Sequence, residues 1–342
     1  MTRAVVVTIF AVTAVATLAI VGIDSVVRPD TGPFALAATL EEHLLLIGIA
    51  AAVVAAGLAL GWCTWGARLR LLAVVLVVVG IVRLGDEWYS ATPAAATERG
   101  GQPLTVLSWN VEVGSKTGQE VADGIRPIDA DVVALQELTT VVATVLDSDP
   151  ELRARYPYRI LEPREPAIGM GLLSRYPLVR EGYLDLPPVL SAGLLLPDGR
   201  RIEVMDVHAY PPVITTVGPV PVALDTTTRD DHLAVIRGLA DAAPDGRLVL
   251  IAGDLNASPF ESGYRILASD GLADAHETAG TGPGFTWRPD PIGSLGLGML
   301  RIDHVLTGAT LRPTAVDENC SVRGDHCRLI VDLAVDAPKA GG

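Results

Sequence analysis

The residues best suited to chemistry follow a run of apolar residues in the second half of the chain. Leu248–Ala252 predicts a fully buried strand, Gly253 predicts a turn, and Asp254 and Asn256 come directly after it. Side chains two positions apart on a strand point the same way, so a carboxylate and an amide are expected to converge. This pair suits a phosphoester, because the carboxylate can take a proton or face a metal while the amide holds an oxygen. By itself, the segment is equally compatible with an ordinary Asx-type loop.

Side chains of the same kinds stand at the ends of several other predicted strands. Taken singly, each has a simple explanation, such as a helix cap or a turn. Their recurrence in one chain favours a single shared pocket. The residues of this predicted pocket are Asn110, Glu137, His208, Asp254, Asn256, Asp303, Asp325 and His326.

The elements that must position these side chains alternate between strands and helices. Apolar runs and period-two patterns predict strands at 104–110, 131–137, 168–178 (two strands), 201–208, 248–252, 301–306 and 328–334. Helical spacing of apolar residues predicts helices at 119–128, 139–146, 230–242 and 260–267. Such a chain fits a layered α/β protein, in which ligand chemistry usually lies at the carboxyl ends of strands.

Six short segments, taken in order, resemble the signature of the endonuclease/exonuclease/phosphatase superfamily. They are Trp109-Asn110, Gln136-Glu137, Ser174 to Leu178, Gly253 to Asn256, Arg301 to Asp303 and Gly324 to His326. That superfamily includes DNase-I-like nucleases, neutral sphingomyelinases and inositol polyphosphate 5-phosphatases. The resemblance covers 103–336 and implies a four-layer αββα sandwich of two mixed sheets. One departure is Gly324, where Ser commonly precedes the Asp-His pair.

The resemblance also implies metal-dependent hydrolysis of a phosphoester. Glu137 and Asp325 would hold Mg²⁺, with Mn²⁺ as an alternative, since carboxylates are hard oxygen ligands. Asn110 and Asn256 would donate to non-bridging phosphate oxygens, a role that an amide can fill and a carboxylate cannot.

The remaining pocket residues are expected to move or stabilise protons. Asp254 would orient or deprotonate the attacking water. His326 would face the scissile phosphate as base or as imidazolium, with Asp303 fixing its tautomer. His208 would protonate the leaving group or stabilise charge, and which histidine is acid and which is base stays open. His304 is expected to point to the opposite face and to be structural.

The amino-terminal quarter predicts a membrane domain. Hydrophobic residues make up 49% of the chain and the mean hydropathy is +0.39. The excess lies in three runs, at 4–23, 44–62 and 69–84, and a helix needs roughly 17–25 such residues to cross a bilayer. The expected organisation is a three-span membrane domain at 1–85, a linker at 86–102 and a catalytic domain at 103–338. A cleaved signal peptide is the competing interpretation of the first run.

Basic residues in the short loops predict the orientation. Arg3 precedes the first run, and Arg68 and Arg70 lie between the second and the third, which places these segments in the cytoplasm. Three crossings leave the catalytic domain outside, an arrangement that resembles the membrane-anchored branch of the teicoplanin-resistance protein VanJ. Outside the membrane a Cys320–Cys327 disulfide is chemically permitted, with two unpaired thiols as the alternative.

Charge and loop composition bear on the substrate. The chain has a net charge of −14, and five of its 26 basic and four of its 40 acidic residues precede residue 86, which leaves −15 for the remainder. So acidic a domain disfavours a nucleic-acid partner. The uncharged segments Tyr210–Leu224 and Ile292–Leu300 flank the predicted pocket in sequence and favour membrane lipids and a lipid-linked phosphate or pyrophosphate, such as a polyprenyl carrier. The alternatives are an extracellular metal-dependent nuclease and an inactive binding or sensing module.

Overall fold

The structure is a computed structural model that describes residues 3–60, 65–88, 101–243, 248–269, 271–321 and 323–337. The chain divides into two compact units. The first comprises Met1–Tyr89, Pro212–Thr227 and Phe260–Ser262, and the second comprises Ser90–Pro211, Thr228–Pro259 and Gly263–Gly342. Most of the predicted linker, 89–100, lies outside the described residues.

Helices dominate the first unit. They are α1 (Arg3–Val27), α2 (Pro33–Thr39), α3 (Glu41–Leu58) and α4 (Trp65–Trp88). Within the described residues two of them, α1 and α3, are long and apolar enough to cross a membrane, with mean hydropathies of 2.7 and 1.7. A signal sequence or the core helix of a soluble protein passes the same test. The third predicted span lies within α4, which is not among the helices that pass.

Small residues let the helices of this unit approach closely. A Cβ on Gly48 would lie 2.6 Å from the side chain of Thr17, so glycine permits the contact between α3 and α1. Arg83 lies in the predicted third span. Its guanidinium donates two hydrogen bonds, of 2.6 and 2.7 Å, to the carboxylate of Glu41. A buried carboxylate on the neighbouring helix thus supplies a counter-charge for Arg83.

A small three-stranded sheet completes the first unit. The hairpin β9 (Val213–Val217) and β10 (Val220–Asp225) adds β1 (Thr31–Gly32) to its edge, with Asp225 paired to Thr31. The Asp30 carboxylate also accepts a hydrogen bond of 2.9 Å from the Ser262 hydroxyl. The segment that the sequence predicts as an uncharged loop, Tyr210–Leu224, is therefore mostly a hairpin, and its strands belong to the helical unit.

Two six-stranded mixed sheets form the second unit. In spatial order, the first contains β14 (Leu311–Asn319), β15 (Arg328–Val335), β2 (Gln102–Asn110), β3 (Val132–Gln136), β5 (Met170–Ser174) and β4 (Tyr158–Glu162). The second contains β12 (Leu272–Asp274), β13 (Asp303–Gly308), β11 (Val249–Asp254), β8 (Arg201–His208), β7 (Pro188–Leu195) and β6 (Leu178–Asp185). Only β2–β3 and β11–β8 pair in parallel among these neighbours.

The inner strands β3, β5, β8, β11 and β13 are buried on both faces, which explains their nearly continuous apolar runs. The inner faces of the two sheets meet in one core, which includes Leu104, Val106, Ala134, Leu172, Leu190, Val204, Leu250 and Ala252. A second cluster buries α5 (Gly118–Ile125), α6 (Thr140–Ser148) and α7 (Pro150–Arg155) against the outer face of the first sheet. A third buries α8 (Thr227–Ala242) and α9 (Ser262–Leu267) against the second. The predicted α/β fold with two mixed sheets is confirmed.

Candidate active site

Strand pairing brings the ends of four strands together. Asn110 ends β2 beside Gln136 at the end of β3, because these strands are parallel. In the other sheet, His208 ends β8 beside Asp254 at the end of β11 for the same reason. Asp303 begins β13 opposite Asp254, because that pair is antiparallel. Residues far apart in sequence therefore lie at one edge of the sandwich.

Asn110 links the two sheets. Its buried side-chain amide donates hydrogen bonds of 2.9 Å to Oε1 of Glu137 and of 3.0 Å to Oδ2 of Asp254. Glu137 comes directly after β3 with a φ of 59°, and its Oε2 accepts a hydrogen bond of 2.8 Å from the Val113 amide. Both amide hydrogens of Asn110 thus hold carboxylates, so its predicted donation to a phosphate requires one of these bonds to be exchanged.

Asn256 is positioned differently from the sequence expectation. It lies beyond the end of β11 with a φ of 50°, so strand alternation does not orient its side chain. An Asx-type hydrogen bond of 2.8 Å from its backbone amide to Oδ1 of Asp254 sets the turn. Its side-chain amide donates 2.9 Å to the carbonyl of Ala209, directly after His208. The second amide hydrogen is the one suited to a phosphate oxygen.

His326 and Asp303 form a buried ion pair. Nδ1 of His326 lies 2.9 Å from Oδ2 of Asp303, and its Nε2 lies 3.6 Å from Oδ2 of Asp254. Burial alone would lower the pKa of His326, but the carboxylates of Asp303 and Asp254 outweigh it and raise the pKa to about 10. His326 is therefore an imidazolium at neutral pH.

The short segment 286–288 holds this pair in place. The Thr286 hydroxyl accepts a hydrogen bond of 3.0 Å from the Asp303 amide, and the Thr286 carbonyl accepts one of 2.8 Å from the Cys327 amide. The backbone of Trp287 forms antiparallel β-bridges with Leu300 and with His326. One segment thus bridges the start of β13 and the residues before β15.

His208 and Asp254 complete the centre. Nδ1 of His208 lies 3.1 Å from the carbonyl of Ala167, an acceptor, so Nδ1 carries a proton and Nε2 faces the pocket. Nε2 lies 3.8 Å from both Glu137 Oε1 and Asp254 Oδ2. Burial raises the pKa of Asp254 to about 6, with His326 opposing the shift and Asp303 adding to it.

Sequence reasoning missed two residues of the pocket, Glu112 and Lys116. The Glu112 carboxylate accepts a hydrogen bond of 3.2 Å from the Asp325 amide, and the buried Lys116 ammonium lies 3.4 Å from it. Lys116 also interacts electrostatically with Asp325 and Glu137. Glu112 lies two residues after Asn110, and this short spacing was the sequence signal that could have placed it in the pocket.

Gly324 is required by this arrangement. It has a φ of 109°, and a Cβ there would overlap Nζ of Lys116 and lie 2.7 Å from Oε2 of Glu112. The departure from the common Ser therefore has a consequence that the sequence did not reveal, because it leaves room for the buried lysine.

A divalent metal fits the carboxylate side of the pocket. Oδ1 of Asp325 is buried and has no hydrogen-bond partner within the described part of the chain. Its Oδ2 accepts a hydrogen bond of 3.1 Å from the Trp287 indole. Burial raises the pKa of Asp325, with Glu112 adding to the shift and His326 opposing it. An orphaned carboxylate oxygen beside Glu112 is a suitable hard ligand for such an ion.

A second group of ligand atoms, on Asp254, Asp303 and His326, also lies within 4.8 Å of one another. In this trio Oδ2 of Asp303 lies 2.9 Å from Nδ1 of His326, and Oδ2 of Asp254 lies 3.6 Å from its Nε2. Glu137 and Asp325 stay the predicted metal ligands, and the structure places Glu112 beside Asp325.

His304 is structural, as the sequence predicts. Its Nδ1 lies 2.7 Å from Asp274 and its Nε2 lies 3.0 Å from the carbonyl of Ala257. Burial alone would raise the pKa of Asp274, but Arg301, His304 and the Tyr264 hydroxyl together hold it well below the ordinary carboxylate range. This network supports the start of β13 from the side away from the pocket.

Cys320 and Cys327 form a disulfide. It closes the loop that carries Gly324 and Asp325, so it constrains the segment that contributes a carboxylate to the pocket. The cross-link favours one of the two alternatives that the sequence left open.

Solved structures share the fold of about two thirds of the chain. D. rerio TDP2 humanized by 14 mutations matches with 19% identity and a TM-score of 0.52, covering 68% of this chain and 98% of that chain. An endonuclease/exonuclease/phosphatase from Beutenbergia cavernae DSM 12333 matches with 20% identity and a TM-score of 0.52, covering 70% of this chain and 73% of that chain. The 3'-5' exonuclease NExo from Neisseria meningitidis matches with 17% identity and a TM-score of 0.52, covering 68% and 100%.

At such identities these likenesses concern the fold. No curated protein sequence matches the chain. The model of the Endonuclease/Exonuclease/phosphatase family matches residues 107–326, which span every pocket residue described above. The chain therefore belongs to the endonuclease/exonuclease/phosphatase family and is a metal-dependent phosphoric ester hydrolase.

Proposed function

We propose that this enzyme is anchored in a membrane by three helices and uses Mg²⁺ to hydrolyse a lipid-linked phosphate or pyrophosphate on the extracytoplasmic face. The observation that carries the proposal is a group of four side chains that converge at one edge of the sandwich. Asn110 lies 3.0 Å from Asp254, Asp254 lies 3.6 Å from His326, and His326 lies 2.9 Å from Asp303.

The residues have distinct roles in this proposal. Glu137 and Asp325, supported by Glu112, hold the metal, which when bound neutralises negative charge on the phosphate. Asp254 takes a proton from the attacking water, which its burial-raised pKa of about 6 suits. Asn256 orients a phosphate oxygen through its remaining amide hydrogen.

The two histidines divide the remaining work. The imidazolium of His326 stabilises the charge that develops on the phosphate, because Asp303 keeps it protonated. In its imidazolium form, His208 delivers a proton to the leaving oxygen through Nε2, since the proton on its Nδ1 is held by the Ala167 carbonyl. This division favours His208 as the acid.

Membrane attachment rests on the first unit. Helices α1 and α3 meet the length and hydropathy requirement, and α4 follows as the third proposed span. The disulfide supports an extracytoplasmic catalytic domain, because disulfides persist in oxidising compartments. Membrane spans ahead of a catalytic domain of this family resemble the organisation of the teicoplanin-resistance protein VanJ.

A lipid-linked substrate is favoured by the hairpin of the helical unit. It exposes Val213, Ile214, Val217 and Val220, with 55–68% of each residue's surface accessible, and the segment contains no charge before Asp225. Exposed apolar residues beside membrane helices suit the boundary between headgroups and acyl chains. The part of the chain beyond residue 85 carries a net charge of −15, which opposes the binding of a polyanion such as DNA.

The test uses the full chain in detergent or proteoliposomes with Mg²⁺. We expect phosphate release from polyprenyl pyrophosphate and no nicking of plasmid DNA under the same conditions. The nuclease alternative has support from the fold, since related structures of D. rerio TDP2 and Neisseria NExo contain product DNA. Plasmid nicking without phosphate release from the lipid would establish that alternative, and a Glu137→Gln variant serves as the inactive control in both assays.

A further inference from the structure

A polar cleft of about 580 Å³ adjoins the metal side of the pocket. It shares Glu112 and Asp325 with the site described above. Its basic lining residues, within the described part of the chain, are Arg288 and Arg323. The cleft therefore begins at the metal-side carboxylates, and Arg288, Arg323 and the acidic residue Asp290 also line it.

Arg288 is held in place by the same loop that supplies Asp325. Its backbone amide donates a hydrogen bond of 2.7 Å to the Asp325 carbonyl, and the preceding Trp287 donates 3.1 Å to the Asp325 carboxylate. The Arg288 side chain is half-buried, whereas that of Arg323 is 74% exposed and pairs with Glu120 at 3.6 Å. The backbone of Arg288 is thus fixed beside the pocket, and the Arg323 side chain stands nearer to solvent.

Basic residues in this position need a reason, because the domain around them is strongly acidic. Guanidinium groups match phosphate oxygens in geometry and charge. A phosphate bonded directly to the one under attack would reach a cleft that begins at Glu112 and Asp325. A nucleic-acid backbone would instead require a longer basic track.

We propose that the cleft binds the second phosphate of a pyrophosphate monoester, with Arg288 as its principal ligand and Arg323 as an outer one. This inference rests on the proposed function and selects pyrophosphate over monophosphate as its substrate class. Water attacks the terminal phosphorus, and the P–O–P bond breaks with its electron pair on the ester phosphate. The water's proton passes to Asp254, and inorganic phosphate and a lipid monophosphate are released.

The experiment compares two substrates on the full-length enzyme with Mg²⁺, farnesyl pyrophosphate and farnesyl monophosphate. Arg288→Gln should raise the KM for the pyrophosphate on the order of ten- to hundredfold, the usual effect of losing a charge-assisted hydrogen bond. The KM for the monophosphate should change less than about twofold, because that substrate leaves the cleft empty. Inorganic pyrophosphate should also become a weaker competitive inhibitor, whereas inorganic phosphate should not.

Two further variants keep the result interpretable. Arg323→Gln, at an exposed position, should show a smaller effect of the same kind, and it tests the cleft should Arg288→Gln fail to fold. Arg180→Gln removes an exposed arginine outside the cleft, paired with Glu162 at 2.8 Å, and should change neither KM. Equal effects of Arg288→Gln on both substrates, or effects confined to plasmid cleavage, would overturn the cleft assignment. A wild-type enzyme that releases phosphate from neither lipid would refute the proposed function instead.

Discussion

The ion pair between Asp303 and His326 gives the sharpest prediction. Replacing Asp303 by Asn removes the carboxylate that contributes most to keeping His326 charged, while leaving an oxygen that can accept from Nδ1. The pKa of His326 should then fall from about 10 towards its ordinary value of 6.5. A fall of about 3.5 units corresponds to about 5 kcal/mol of lost preference for the imidazolium.

The direction of the pH effect follows from the sign of this shift. In the wild type the raised pKa keeps the imidazolium until the pH rises through about 10, and the stability that this charge contributes is full below about 6.5 and is lost as the pH rises from there through about 10. In Asp303→Asn the imidazolium should disappear as the pH rises through about 6.5, so that at about pH 8.5 roughly 1% remains. The hydrolysis rate of the variant should therefore fall about tenfold per pH unit above neutrality.

Long-range ¹⁵N–¹H NMR of the histidine rings measures this protonation without any substrate. The pH dependence of hydrolysis on a chromogenic phosphoester provides the second measurement. Asp332→Asn, at an exposed position bonded to the Thr105 hydroxyl, is the matched control and should leave both unchanged. A His326 ring that stays protonated to pH 9 in Asp303→Asn would refute the reasoning.

Further predictions concern the metal, the supporting network and the core. Glu137→Gln should weaken Mg²⁺ binding by at least about tenfold, so that added Mg²⁺ raises the melting temperature less than in the wild type; an unchanged Mg²⁺ response would remove Glu137 from the metal site. Asp274→Asn should destabilise the domain at neutral pH. Because the folded-state pKa of Asp274 is depressed, the loss of unfolding free energy should be full above the unfolded-state pKa of about 3.8 and should shrink as the pH falls below it. Urea unfolding at several pH values would measure this dependence. Gly324→Ser should destabilise by about 1–3 kcal/mol, and Lys116→Ala in the same chain should cost less than the sum of the single changes; additive effects would contradict the steric conflict. Leu250→Ala, in the core between the sheets, should cost about 2–5 kcal/mol of unfolding free energy, and a smaller loss would show that the site can collapse.

Much of the fold follows from local patterns. The predicted strand at 201–208 matches β8 residue for residue, and the predicted helix at 139–146 lies within two residues of α6 at either end. These elements are legible because burial imposes a period of two on strands and near four on helices. The hairpin at 213–225 was missed, since its alternation serves a sheet in the helical unit that the local sequence does not indicate.

The candidate site divides in the same way. Polar residues at the ends of apolar runs marked Asn110, Glu137, His208, Asp254, Asp303 and His326 from the sequence. Glu112 and Lys116 lacked such a mark, because they lie in a loop whose function depends on Asp325, more than 200 positions away. Asn256 was placed on the correct segment for the wrong reason, since an Asx turn rather than strand alternation orients it.

The sequence alone determined which side chains could bind a metal or a phosphate, because chemical type and strand ends are local properties. Only the tertiary structure decided which of them meet. Asn110 reaches Asp254 across 144 positions through the packing of two sheets, and the charge on His326 exists because Asp303 and Asp254 surround it in a buried site. Strand register and the desolvation of neighbouring charges are non-local, so no pattern along the chain specifies them.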